Sequence, residues 1–136
     1  MRRRVLYIEP VVSELVDSWK EYLSQFKSPE TELEVTSLTE GPRHLEYYSY
    51  GSLVVPKILK IIKEAEKENF DAAIIGCFYD PGLREAREIA EKLMVGMVKR
   101  TVEFLSTVVL GGIYQLERFI VVHWRTKEKV SLLSIR

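Results

Sequence analysis

The five residues Ala72-Ala73-Ile74-Ile75-Gly76 constrain this chain most. A short, continuous apolar run reads as a strand buried on both faces, and such strands form the middle of parallel sheets. Parallel neighbours need crossover connections, which helices supply. The flanking sequence has that form. Val5-Leu6-Tyr7-Ile8 predicts a first strand, halted by Glu9-Pro10. Leu15, Val16, Trp19, Tyr22, Leu23 and Phe26 recur at three and four, so a helix is expected over 13–26 with Ser13 as its N-cap. Ser28-Pro29 breaks it. Leu33 and Val35 alternate with polar neighbours over 31–38, as in a half-buried edge strand. A loop over 41–51 carries His44, Tyr47, Tyr48 and Tyr50.

A second helix is expected over 52–69, with Val55, Ile58, Leu59, Ile62 and Ala65 on one face and Pro56 in its first turn. Beyond the third strand, a helix over 83–92 is expected to start from Asp80 as N-cap and Pro81 as first residue. A fourth strand over 93–97 and a helix over 101–110 follow. A fifth strand covers 119–124, and 130–135 reads as a sixth strand or a tail. The expected fold is α/β: a three-layer, flavodoxin-like parallel sheet of order 2-1-3-4. Residues 1–112 form the α/β domain. Residues 113–136 are a divergent C-terminal strand and tail, not a separate domain.

Composition removes several function classes. Lys and Arg total 20 and Asp and Glu total 20, so no net charge draws the chain to nucleic acid or anionic lipid. No stretch reaches the roughly 20 apolar residues of a membrane span. Met1 to Ile8 resembles a secretory leader, but Glu9-Pro10 ends its apolar part too soon. The single cysteine, Cys77, excludes an internal disulfide and a cysteine zinc cluster, and His44 with His123 is a poor metal set. The expectation is a cytoplasmic protein with a reduced thiol and no metal. Glu far outnumbers Asp, Asn69 stands alone, and Gln occurs only at 25 and 115. That pattern leans towards a thermophile.

In a sheet of order 2-1-3-4 the connections reverse direction between strands one and three, and ligands bind past the carboxyl ends there. Glu9, Pro10 and Val11 follow strand one, and Cys77, Phe78 and Tyr79 follow strand three. Two readings of Cys77 stand. It is a small buried hydrophobe at a strand end, or it is a reactive thiol helped by the helix start beyond it and opposed by Asp80. Other features have plain readings. Arg2-Arg3-Arg4 is a solvated lead into the strand, and no glycine-rich phosphate loop accompanies it. The tyrosine cluster is loop packing, or an aromatic lid or dimer surface.

Cys77-Phe78-Tyr79-Asp80-Pro81-Gly82-Leu83 with Arg87-Glu88 resembles the first cysteine motif of the aspartate/glutamate/hydantoin racemase superfamily. Gly41-Pro42 with Leu45-Glu46-Tyr47-Tyr48, then Val55-Pro56, then Val95-Gly96-Met97 resemble the hydantoin racemase-like branch in order. The resemblance covers roughly residues 4 to 110 and implies the first half of a two-domain racemase. It implies cofactor-free racemisation at a carbon next to a carbonyl. Two cysteines work across a cleft there, one removing the α-proton and the other returning a proton on the opposite face. Cys77 takes the first-half acid/base role, with Glu9, Pro10, Val11, Phe78, Tyr79 and Thr101 around the substrate. The implied ligand is an amino acid or hydantoin-like small molecule.

The sequence also departs from the family. No second cysteine follows Cys77. Glu9-Pro10-Val11 stands where the family has an Asn-Pro-Asn-type turn, and Glu9 disfavours an anionic substrate. Lys99 falls on a family Glu position, while Thr101 keeps a hydroxyl. Three readings follow. The chain is an isomerase that works as a homodimer, with Cys77 of each copy facing the other. Or it is a non-catalytic remnant or small-ligand binding module. Or Cys77 serves another single-thiol reaction, such as a decarboxylation. The helix-four face of Val102, Leu105, Val109 and Leu110 would need covering, which also predicts an oligomer.

Overall fold

Pairing the apolar runs side by side buries both of their faces, and the chain does this with four parallel strands. The computed structural model describes residues 2–77 and 80–96. They form β1 (Arg3–Glu9), α1 (Val16–Ser24), β2 (Thr31–Ser37), α2 (Tyr48–Lys67), β3 (Ala72–Ile75), α3 (Leu83–Ile89) and β4 (Leu93–Gly96). The sheet order is β2-β1-β3-β4, all parallel, as the apolar runs predicted. Ile8 pairs with Ile75, and Glu9 with Ser37, so the carboxyl ends of β1, β2 and β3 finish level. The expected helix over 101–110, the strand over 119–124, the segment 130–135, and the residues Met97, Lys99 and Thr101 lie outside the described residues.

Strand residues alternate between two cores. Val5, Tyr7, Leu33, Ala72 and Ile74 close on Leu23 of α1. Leu6, Ile8, Ala73 and Ile75 close on Val54, Ile58 and Ile62 of α2 and on Ala86 of α3. Helices therefore cover both faces, the three-layer arrangement of a doubly wound domain. β2 lies at the sheet edge, where Thr31 and Leu33 are buried and Glu32 is exposed. At the opposite end from the carboxyl rim, Arg4 is not simply solvated. Its guanidinium lies 4.2 Å above the Phe70 ring and 2.6 Å from Glu34, while its backbone N–H donates to Asp71.

Three helix starts differ from expectation. Ser13 does not cap α1. Its hydroxyl accepts a hydrogen bond from the Leu15 N–H two residues on, a local turn that delays the helix to Val16. Leu15 and Tyr22 consequently stay exposed, and Leu23 is the buried anchor. α2 begins four residues early, at Tyr48, and Pro56 is then inside the helix rather than in its first turn. His44, Tyr47 and Tyr50 hold the extra turn by mutual ring contacts at 5.2–6.1 Å. Ser52, whose carbonyl loses its donor to Pro56, is exposed, so water can replace that bond. α3 is preceded by Gly82, not capped by Asp80. Gly82 has φ 75, and a Cβ there would sit 3.3 Å from the Val55 methyl groups. Only glycine suits both the left-handed backbone and the close approach to α2.

Candidate functional site

Glu9 is the last residue of β1, and Gly76 and Cys77 follow the last residue of β3. The Gly76 N–H donates to the Ile8 carbonyl at 2.8 Å, which continues the pairing one residue past β3. Glu9-Pro10 and Gly76-Cys77 thus emerge side by side. They stand at the point where the chain runs to α1 on one face and α3 on the other. Pro10 is buried, while Val11 and Cys77 are half-buried. The Val11 carbonyl accepts from the Leu38 N–H at 3.1 Å, and the Val12 N–H donates to the Pro42 carbonyl at 3.0 Å. The loop after β1 is tied in this way to the loop after β2. Phe78 and Tyr79 lie outside the described residues.

Tyr7 completes the site, and the sequence reading did not single it out. In the sequence it is one apolar position of a strand. Two-residue spacing puts Tyr7 and Glu9 on the same face of β1. The Tyr7 ring is buried to 1% exposure and stacks near Trp19 at 6.1 Å. Its hydroxyl reaches the space above Gly76, where an added Cβ would stand 2.7 Å from it. There the Tyr7 hydroxyl lies near the Glu9 carboxylate. Burial pushes the Glu9 carboxyl above the usual range, and the Tyr7 hydroxyl partly offsets that. Burial likewise raises Tyr7, with the nearby Glu9 and Cys77 charges adding to it, so the phenol keeps its proton. Glu9 Oε2 is buried with no hydrogen-bond partner among the described residues.

The thiol sits on an uncommon backbone. Cys77 has φ 84, a region that L-residues other than Gly, Asn and Asp avoid. Its carbonyl accepts from the Asp80 N–H at 3.2 Å, and the Asp80 carbonyl accepts from Leu83 N–H at 3.1 Å. Two turns therefore separate Cys77 from α3. That helix has seven residues and starts six positions beyond the thiol, so it does not adjoin the sulfur as the sequence suggested. Arg87 of α3 is half-buried beside Asp80, and desolvation lowers its pKa against the pull of that carboxylate. Replacing Cys77 by glycine is expected to raise stability by about 1 kcal/mol, because glycine adopts positive φ freely. Chemical denaturation reads this as a higher midpoint with unchanged slope.

An open groove of about 420 Å³ also runs between β2 and α2, lined by Glu34, Thr36, Leu38, Lys57, Ile61 and Phe70. It does not include Cys77 or Glu9. We place the candidate site at Cys77, because the polar groups converge there. Among the described residues no group of three His, Cys, Asp or Glu side chains could hold a metal ion. No described helix is long and apolar enough to cross a membrane.

The model of the Asp/Glu/hydantoin racemase family matches residues 11–132. The chain belongs to that family. The match runs beyond Gly112, where the sequence likeness was expected to fade. Among curated relatives of the family, a hydantoin racemase from Pseudomonas sp. (strain NS671) is 36% identical over 77 residues, 57% of this chain and 31% of that protein. A hydantoin racemase from Rhizobium meliloti is 32% identical over 82 residues, 60% of this chain and 34% of the relative. Another, from Paenarthrobacter aurescens, is 29% identical over 107 residues, 77% and 45% of the two chains. The chain thus matches only 31–45% of the length of these relatives. An allantoin racemase from Klebsiella pneumoniae has the same racemase-family fold, with a TM-score of 0.65 and 25% identity. That likeness covers 69% of this chain and 39% of the other. The α/β parallel sheet and the likeness to the first half of a racemase agree with the reading of the cysteine motif.

Proposed function

We propose that the chain is a racemase-like isomerase that moves a proton at a carbon next to a carbonyl, without a cofactor. The observation that carries this reading is the position of Cys77. It lies two residues past the end of β3, at the switch point of a racemase-family sheet, beside Glu9 of β1 and the Pro10 that follows it. In the proposed reaction a thiolate takes the α-proton, the carbonyl accepts the electron pair, and a second thiol protonates the opposite face. This sequence holds one cysteine, and the proposal takes Cys77 of another copy as the second thiol, in a symmetric dimer. The ligand is a small amino acid or hydantoin-like molecule. Glu9, Pro10 and Val11 line its place, and the family resemblance adds Phe78, Tyr79 and Thr101. We take residues 1–112 as the racemase-like unit, continued by 113–136.

The lone cysteine also favours a second reading: a small-molecule binding module on the same fold. α-Proton exchange in deuterated water, followed by NMR, separates the two. The panel is 5-substituted hydantoins, aspartate and glutamate, run at raised temperature because of the Glu- and Lys-rich composition. Exchange is expected for the wild type and a fall of at least about 100-fold for Cys77→Ala, the scale of a lost acid/base group. The rate per chain should rise with protein concentration if two copies form the site. A wild type that exchanges no substrate sinks the isomerase reading and leaves the binding module.

A further inference from the structure

We infer that the outer edge of β2 is a self-association surface, where a second copy lays its own β2 antiparallel to the first and the sheet continues from one chain into the other. β2 ends the sheet, and no described strand lies on its outer side. The backbone shows which groups are left over. The Glu30 carbonyl accepts from the Arg3 N–H, and the Leu38 N–H donates to the Val11 carbonyl. Backbone groups alternate in direction along a strand, so Glu32, Glu34 and Thr36 also turn towards β1. Leu33, Val35 and Ser37 then turn theirs outwards. The N–H and carbonyl groups of Leu33 and Val35 have no partner among the described residues. Such a row of groups is a template for another strand.

The edge is self-complementary in register and in charge. Antiparallel strands related by a two-fold axis bond through their outward residues, so the axis passes through Leu33, Val35 or Ser37. An axis at Leu33 sets Glu32 directly opposite the partner's Glu34, which like charge disfavours. An axis at Ser37 leaves Leu33 beyond the end of the partner's β2. An axis at Val35 pairs Leu33 with the partner's Ser37 and sets Glu34 opposite the partner's Thr36. The groove of about 420 Å³ between β2 and α2 has Ile61 in its wall. α2 runs against the strands. Lys57 binds Glu40 just past the carboxyl end of β2, and the Glu68 carbonyl meets Arg4 near the other end. Lys57 and Lys60 therefore flank one end of the groove, and Glu64 and Glu68 the other. The axis brings the lysines of each copy towards the glutamates of the other. Lys60, Glu64 and Glu68 are exposed and in no ion pair among the described residues. A second copy supplies the matching charge order by symmetry, which an unrelated strand does not. The contact does not depend on the reading of Cys77. Pairing of Cys77 residues uses the carboxyl rim, a different surface, so both contacts together give assemblies of four chains or more.

The test is sedimentation velocity of the 136-residue chain from micromolar to near-millimolar concentration. The wild type is expected to associate into an even number of chains. Val35→Pro removes the outward N–H on the axis and leaves the bonds to β1 in place, since proline is tolerated where an edge N–H faces away from the sheet. It should halve the number of chains in the assembly, and a thermal melt checks that it is folded. Charge variants test the same contact without touching the strand. Lys60→Glu alone and Glu64→Lys alone should each raise the dissociation constant by about tenfold, and the two together should return it to within about threefold of wild type. If the melt shows Val35→Pro unfolded, this charge exchange decides. A folded Val35→Pro with the wild-type assembly, or charge effects that merely add, overturns the contact. A wild type that stays monomeric throughout overturns it too, and leaves the edge to a strand of other origin.

Discussion

Ile58→Ala is expected to lower the unfolding free energy by about 2–5 kcal/mol. Ile58 lies mid-way along α2 with no exposed surface, in the core shared by β1, β3 and α2. Truncation removes three carbons from contact with Ile8, Ile75 and their neighbours. It leaves a cavity that a close-packed interior closes only in part. α2 has 20 residues and gains little stability from its own start, since no side chain caps it. It depends on docking through Val54, Ile58, Ile62 and Ala65, so the loss falls on the joint between helix and sheet. Urea denaturation would show a lower midpoint at nearly constant slope. A loss under about 1 kcal/mol would mean that α2 does not share one cooperative core with the sheet.

Gly76→Ala is the second large effect, expected at about 1–3 kcal/mol as overpacking. The added methyl would stand 2.7 Å from the Tyr7 hydroxyl and 3.1 Å from the Ile8 carbonyl. The Tyr7 ring is buried and set against Trp19, so it cannot swing aside freely. The Ile8 carbonyl accepts the Gly76 N–H itself, so a shift there loosens the last rung between β1 and β3. The variant should also displace the Tyr7 hydroxyl from its place above residue 76. Ultraviolet difference spectra of the tyrosine band would register that, alongside a lower melting temperature. A variant of wild-type stability and unchanged tyrosine spectrum would contradict the tight fit at Gly76.

Hydrophobic patterning made the sheet legible because pairing order and burial follow from it directly. Ala72 to Ile75 had to be central, and the Leu33–Val35 alternation had to be at the edge. Cys77 followed as a rim residue from topology and the family motif together. Helix starts were less legible because small local contacts set them. The Ser13 hydroxyl chose a two-residue turn, edge-on and tilted ring contacts extended α2 by one turn, and Val55 required a glycine at 82. Tyr7 stayed hidden for a different reason. In one dimension it is another β-prone apolar residue. Its polar end matters only because Gly76, far along the chain, leaves room for it, and no local window contains both.

The positive φ at Cys77 has an evolutionary consequence. At that backbone position, mutation towards glycine is downhill in folding energy, and most proteins sit close enough to the stability threshold for such gains to spread. A lineage with no use for the sulfur would drift to glycine at position 77. A cysteine kept at a site where the backbone disfavours it is therefore what continued use of the thiol would leave behind.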